Sequence, residues 1–158
     1  MVDDWVVAGE KQYKREKMFL GEYDYKIDEK GRVPLPPKFR ADFIDGIVLA
    51  AGAEKCILAY APSQWEMLAE SLVTGPVLSN KMRKLSRALF ATAFHLNLDG
   101  QGRISLPMPL RQYAGITTDV VVAGANLYLE IWEKQAWELE KAESQAQSWQ
   151  IIESMEKR

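Results

Sequence analysis

The chain has 158 residues, nearly half of them apolar (47%), and carries a formal net charge of −2. This length suits one compact domain or two very small ones, and the apolar content excludes disorder across most of the chain. The slightly negative charge argues against a protein that coats nucleic acid indiscriminately, although a few placed arginines and lysines would still allow DNA binding. The single cysteine, Cys56, excludes an intramolecular disulfide and a cysteine-based metal cluster.

Residues 1–17 are predicted to be an N-terminal extension that is charged near its end and flexible. They lack the charged start and the apolar stretch of a signal peptide, and no run elsewhere is long and apolar enough to span a bilayer. We therefore expect a cytoplasmic protein with no membrane partner.

A first structural unit is predicted over residues 18–72. Apolar and polar residues alternate from Tyr23 to Ile27, which is typical of a half-buried strand. An Asp-x-x-x-Arg turn, Asp28 to Arg32, separates this strand from a short strand and a short proline-started helix. Two later apolar runs predict strands around a glycine turn, and a helix containing a tryptophan ends the unit.

A linker helix is predicted within residues 73–90, after a loop at Gly75–Pro76. Ser79 is suited to cap this helix, and apolar residues recur along one of its faces. The opposite face is basic and includes Arg83 and Arg87. It is interpreted either as a solvated helix face or as a second DNA contact.

Residues 91–140 repeat the first unit when the chain is shifted against itself by about seventy residues. The identical positions are Asp28 and Asp99, Gly31 and Gly102, Arg32 and Arg103, Leu35 and Leu106, Pro36 and Pro107, and Arg40 and Arg111. A match of this length, in the same order, predicts an internal duplication. Beyond it, one long helix is predicted over residues 134–157, so that residues 141–158 form its C-terminal end.

The Asp-x-x-x-Arg turn has a simple physical interpretation. Asp28 can accept hydrogen bonds from backbone N–H groups in the turn, and Gly31 can take a positive φ without steric cost. Arg32 then emerges within reach of the carboxylate, which would fix a guanidinium suited to phosphate or to the O6/N7 edge of guanine. Such a pair is often only a local salt bridge, and duplication would copy a structural device as faithfully as a binding one. The pattern alone leaves both interpretations open.

Two copies of this turn, in this order and spacing, resemble the MraZ family of bacterial transcriptional regulators, which belongs with the AbrB-like, swapped-hairpin DNA-binding proteins. The segments that carry the resemblance are residues 18–21, 27–32, 35–40, 98–103, 106–111 and 130–132. The resemblance implies an α+β fold with two tandem AbrB-like (SpoVT–AbrB) β-barrel repeats, each followed by a helix, and a long C-terminal helix. The chain departs from the usual family pattern at residues 91–93 and at His95, outside both turns.

The resemblance also implies a binding site. Arg32 and Arg103 are expected to contact DNA, and Asp28 and Asp99 to orient them. The other turn residues assigned to the interface are Lys30, Gly31 and Gly102, and weaker candidates are Lys38, Arg40, Arg111, Arg83 and Arg87. An alternative role for Arg40 and Arg111 is pairing with acidic groups to hold the fold.

Members of the family assemble into rings and bind repeated short boxes upstream of the division and cell-wall gene cluster, usually as repressors. The expected partners are therefore double-stranded promoter DNA with short direct repeats and further copies of the chain in a ring-like homo-oligomer. The resemblance also implies association with the nucleoid and no cofactor.

Two other functions compete with DNA binding. An oligomeric protein-binding scaffold of the same fold would need no DNA recognition, and an arginine cluster on one face of the oligomer would argue against it. An enzyme is the weaker alternative. The only histidine, His95, has no indicated nucleophile beside it, and no phosphate-binding glycine loop or metal-ligand spacing is present.

Overall fold

The computed structural model describes residues 18–72 and 79–156 in full, and the backbone of two short strands before them. The elements of this part, in chain order, are β1 (Trp5–Ala8), β2 (Lys11–Lys14), β3 (Glu22–Lys26), β4 (Arg32–Pro34), a 3-10 helix (Pro37–Phe43), β5 (Ile47–Ala51), β6 (Ile57–Tyr60), α1 (Pro62–Ser71), α2 (Asn80–Leu89), β7 (Phe94–Leu96), β8 (Arg103–Ser105), α3 (Met108–Ala114), β9 (Asp119–Gly124), β10 (Leu129–Glu133) and α4 (Lys134–Glu156). Helices combined with antiparallel strands agree with the predicted α+β class.

One antiparallel sheet in the order β3-β9-β10-β6-β5-β7 organises the fold. Each repeat contributes a central hairpin, β5–β6 or β9–β10. Each hairpin is flanked by the first strand of the other repeat, since β3 pairs with β9 and β7 pairs with β5. The two repeats therefore exchange strands and share a single sheet.

A second, two-stranded sheet is formed by β4 and β8, which run antiparallel. Val33 lies opposite Ile104 in this pair, and both side chains are fully buried. Each strand directly follows an Asp-x-x-x-Arg turn and is only three residues long. In the antiparallel pair each turn therefore lies beside the end of the partner strand, where the carbonyl of Gly31 accepts from Leu106 N–H and that of Gly102 from Leu35 N–H, so the two turns are close together.

The predicted β-barrels are not observed. The described strands form an open six-stranded sheet with β3 and β7 at its edges, and no pairing between those two strands closes it. The physical reason is the exchange of strands, because the first strand of each repeat hydrogen-bonds to the other repeat's hairpin and not to its own. The prediction treated each repeat as a separate closed unit.

The core lies where the sheet meets the short helices that follow β4 and β8. Phe19 packs edge-on against Phe39, with ring centroids 5.1 Å apart, and stacks on Phe43 at 5.4 Å. All three rings are buried. The continuous apolar runs of β5 and β9 are also buried, whereas β3 alternates between exposed and half-buried residues as its sequence predicts.

Several predicted helix boundaries are confirmed. Pro62 begins α1, and Ser79 caps α2 by accepting a hydrogen bond of 3.2 Å from the backbone N–H of Met82. The long final helix is α4. It is tied to the edge strand β3 by ion pairs from Lys134 to Asp24 and from Lys141 to Glu22.

Other predictions fall largely outside the described residues. Of the segment 1–17, predicted to be flexible, only the backbone of the antiparallel pair β1–β2 is described. The loop predicted at Gly75–Pro76 lies outside the described residues. Within the described part of the chain, no helix has the length and apolarity needed to cross a membrane.

Truncating the β4–β8 core should destabilise the whole fold. Ile104→Ala removes a fully buried side chain from the pair, and we expect a loss of roughly 2–5 kcal/mol in the free energy of unfolding, measured by urea denaturation. The matched control, Ile44→Ala, truncates a side chain that is 79% exposed and should change stability by no more than about 0.5 kcal/mol. Equal effects of the two substitutions would contradict the central role of this strand pair.

Candidate nucleic-acid interface

The first turn is shaped by the carboxylate of Asp28. Its Oδ1 accepts hydrogen bonds from the backbone N–H groups of Lys30 at 2.9 Å and Arg32 at 2.8 Å, and its Oδ2 accepts one from Arg32 Nε at 2.7 Å. The backbone closes the turn with bonds from Gly31 N–H to the Asp28 carbonyl and from Asp28 N–H to the Arg32 carbonyl, both 3.0 Å. The Asp28 carboxylate thus stabilises the backbone of the turn through Oδ1 and orients the Arg32 guanidinium through Oδ2.

The second turn has the same geometry. Asp99 Oδ1 accepts from the backbone N–H groups of Gln101 and Arg103, both at 2.9 Å, and Oδ2 accepts from Arg103 Nε at 2.7 Å. The corresponding side-chain distances in the two turns agree within 0.1 Å. The predicted local geometry of both turns is therefore confirmed.

Hydrogen bonding stabilises the charged form of both carboxylates. The bond from the backbone N–H of Arg32 lowers the pKa of Asp28 below its ordinary value, and this effect outweighs desolvation, which acts in the opposite direction. The backbone N–H of Arg103 lowers the pKa of Asp99 in the same way. Each turn therefore presents a charged carboxylate beneath its arginine at neutral pH.

The two turns form one charged cluster. Arg103 Nη1 lies 3.9 Å from Asp28 Oδ2, so the arginine of the second repeat also faces the aspartate of the first. The arginine side chains are 26% exposed for Arg32 and 24% for Arg103. Each uses Nε for its own aspartate, and among residues 18–72 and 79–156 no hydrogen bond involves the Nη atoms of either. The Nη groups of each guanidinium can therefore donate hydrogen bonds to a ligand.

The glycines of the turns have left-handed backbone, with φ of +77° at Gly31 and +74° at Gly102. Each is also buried under an arginine side chain from the other repeat. Arg111 lies against Gly31, and Arg40 lies against Gly102. The predicted alternative, in which these two arginines pair with acidic groups, is not observed, since neither forms an ion pair with the described residues.

The remaining candidates differ in their positions. Lys30 is exposed within the first turn, whereas the ammonium of Lys38 lies 5.0 Å from the ring centre of Tyr23 and 5.3 Å from that of Phe39. This arrangement favours a cation–π role for Lys38. Arg83 and Arg87 lie on α2, outside both turns.

One group of side chains could supply metal ligands. Ligand atoms of Glu54, Cys56 and Glu130 lie within 4.8 Å of one another. Burial raises the pKa of the Cys56 thiol to about 12, so the cysteine is neutral and packs in the core. We assign no metal to this group.

Protonating the turn carboxylates should destabilise the protein. The pKa values of Asp28 and Asp99 in the folded state are depressed from 3.8, so their contribution to stability is complete above that value and is lost as the pH falls below about 4. The Asp28→Asn/Asp99→Asn variant should therefore melt below the wild type at pH 7, with a difference that shrinks in acid. Circular dichroism melts across this range measure both quantities.

The matched control for these melts is Asp45→Asn, which removes an exposed carboxylate outside both turns. Its melting temperature should follow that of the wild type at each pH. A deficit of the double variant that stays constant from neutral to acid pH would contradict the assignment of the acid-sensitive stability to the two turns.

Comparison with known proteins agrees with the duplicated architecture. The family model described as "MraZ protein, putative antitoxin-like" matches the chain twice, over residues 18–87 and 89–158. The chain is 59% identical over 140 residues to the transcriptional regulator MraZ of Dehalococcoides mccartyi, an alignment that covers 88% of this chain and 99% of the relative.

Two relatives with the same name are more distant. The Herpetosiphon aurantiacus protein is 46% identical over 121 residues, which cover 77% of this chain and 85% of the relative. The Frankia alni protein is 43% identical over 132 residues, covering 84% and 92%. With two family-model matches that together span both Asp-x-x-x-Arg turns, the chain belongs to the MraZ family.

Proposed function

We propose that this protein is a sequence-specific DNA-binding transcriptional regulator that reads promoter DNA through its two Asp-x-x-x-Arg turns. The observation that carries the proposal is the cluster of Arg32 and Arg103, two oriented guanidinium groups whose Nη edges are free of hydrogen bonds to the described residues. The curated relatives are named transcriptional regulators, which agrees with this function.

The chemistry of the cluster suits the major groove. A guanidinium held through Nε keeps its two Nη groups in a fixed plane, and that fork can bind the O6 and N7 atoms of guanine or a phosphate. In this proposal Arg32 and Arg103 are the contacts, while Asp28 and Asp99 orient them and do not touch DNA. Lys30, exposed beside Arg32, adds a phosphate contact.

Local placement explains how a chain with a net charge of −2 can bind a polyanion. The positive groups that matter are concentrated in the two turns beside the β4–β8 pair, so the overall charge need not be basic. Specificity then comes from a few base contacts, and nonspecific attraction stays weak.

The protein is also proposed to act as a ring-like homo-oligomer, in which several protomers bind repeated DNA boxes at the same time. The free end of α4 exposes large apolar side chains, including Trp149 at 73% and Met155 at 63%. Such a group of apolar side chains is typical of an interaction surface. Several linked protomers would place many arginine pairs along one promoter.

The proposed target is the division and cell-wall gene cluster, with repression as the expected direction and the nucleoid as the expected location. An oligomeric scaffold that binds only protein is the second candidate, because the apolar end of α4 would serve that role equally well. The two functions differ in whether the arginine pair is needed.

Removing either turn arginine should weaken DNA binding. Arg32→Ala and Arg103→Ala should each cost ~1–3 kcal/mol of binding free energy, the range for a bidentate base contact. Fluorescence anisotropy on the upstream region of the gene measures this loss, and size-exclusion chromatography should show an unchanged oligomer.

The matched control for these variants is Arg87→Ala, which removes an arginine from α2 outside both turns. Its affinity should stay close to that of the wild type. Full affinity in the Arg32→Ala/Arg103→Ala double variant would reject the site, and an equal loss in Arg87→Ala would show that the contact surface includes α2.

Affinity should depend on the number of boxes. Because linked protomers bind a second box intramolecularly, DNA with several boxes should bind about 10²–10⁴ times more tightly than DNA with one. Titrations of fragments with one, two and three boxes, at fixed salt, measure the increase. Equal affinity for all fragments would contradict the oligomeric mechanism while leaving the arginine contacts intact.

A further inference from the structure

The two turns are each covered by an arginine of the opposite repeat. A Cβ added at Gly31 would lie 2.8 Å from Cζ and 2.9 Å from Nη1 of Arg111, and one added at Gly102 would lie 2.5 Å from Cδ and 2.7 Å from Cζ of Arg40. The guanidinium end of Arg111 and the side chain of Arg40 therefore rest directly on the glycine backbone. The arrangement is reciprocal, because each repeat supplies the arginine that covers the other's turn.

Hydrogen bonds through Leu35 also connect Arg40 with Gly102. The carbonyl of Gly102 accepts from Leu35 N–H at 3.0 Å, and the Leu35 carbonyl accepts from Arg40 Nε at 3.1 Å. Gly102, Leu35 and Arg40 are thus each in contact with the other two, through these two bonds and the packing of Arg40 on Gly102. In the other direction, the carbonyl of Gly31 accepts from Leu106 N–H at 2.9 Å.

The surroundings of these two arginines favour support of the turns over contact with DNA. Arg40 already uses Nε within the protein. Arg111 Nε is buried and has no hydrogen-bond partner among the described residues, and the guanidinium group packs on Gly31. Both side chains are only partly exposed.

We propose that Arg40 and Arg111 are positioning residues that act across the repeats: Arg40 holds the turn that carries Arg103, and Arg111 holds the turn that carries Arg32. The effect on DNA binding rests on the proposed function, but the crossed support is a property of the free protein. Each DNA-reading arginine then depends on the other repeat as well as on its own aspartate.

The crossed support can be tested without DNA. In ¹⁵N-labelled protein, Arg40→Met should shift the Gly102 amide and the Nε–Hε signal of Arg103 most. The signals of Gly31 and Arg32 should shift less, through the 3.9 Å contact between Arg103 and Asp28. Arg111→Met should give the opposite pattern. Shifts confined to the substituted residue's own repeat, or equal shifts in both turns, would overturn the proposal.

A conservative variant covers the case in which Arg40→Met fails to fold. Arg40→Lys keeps the charge and most of the aliphatic stem but loses the Nε donor to the Leu35 carbonyl. We expect a folded protein with a smaller shift at Gly102 and Arg103 than in Arg40→Met, and a smaller one again at Gly31. An unchanged Gly102 signal in this variant would reject the role of the Arg40 bond.

DNA titrations then separate positioning from contact. Arg40→Met should weaken binding by roughly tenfold, as for a group that orients a ligand-binding residue, without changing the slope of log K against log salt. Adding Arg103→Ala should cost little more, whereas adding Arg32→Ala should multiply the losses.

The contrary results are equally distinct. A salt slope reduced by about one in Arg40→Met, with losses that multiply with Arg103→Ala, would make Arg40 a phosphate contact and overturn the positioning role. Crossed shifts in the free protein without any DNA binding by the wild type would reject the proposed function and retain the positioning role.

Discussion

The pairing of β4 with β8 is the contact on which the rest of the structure depends. It buries Val33 against Ile104, and each of its two strands begins at a turn arginine. The turns therefore cannot separate without opening the core. On an isolated hairpin, an Asp–Arg pair of this kind would be a weak local ion pair. Here each pair adjoins a strand that is buried in the core, so the geometry of the pair depends on the whole fold.

The charged cluster combines opposite signs at close range. Two aspartates and two arginines lie in one cluster, with Arg103 near both carboxylates. The carboxylates reduce the net charge of this end, but they also remove much of the freedom of the guanidinium groups before any ligand arrives. Preorganised groups lose less conformational entropy on binding. In the proposed DNA complex, this smaller entropy cost offsets the weaker attraction that results from the lower local charge.

Local features of the fold were predictable from sequence, and long-range pairing was not. The hydrogen bonds of Asp28 involve residues within four positions, and the cap at Ser79 and the start at Pro62 are equally local, so residue type and spacing predicted them. The alternation in β3 indicates a strand but not its partner, so it predicts neither the exchange with β9 nor the open sheet. Arg40 and Arg111 were singled out by the repeat. In the structure both arginines pack on glycines of the opposite turns. Because glycine carries no charge, the charge pattern of the sequence cannot predict this contact.

The exchange of strands has a consequence for synthesis of the chain. When β3 leaves the ribosome, its hydrogen-bonding partner β9 lies almost a hundred residues ahead in the sequence, so pairing must wait until Asp119–Gly124 have been synthesised. The first hairpin likewise lacks β7 at its edge. A neighbouring nascent chain can offer the same strand at the same edge, so the architecture that joins the repeats also provides a route to domain-swapped dimers.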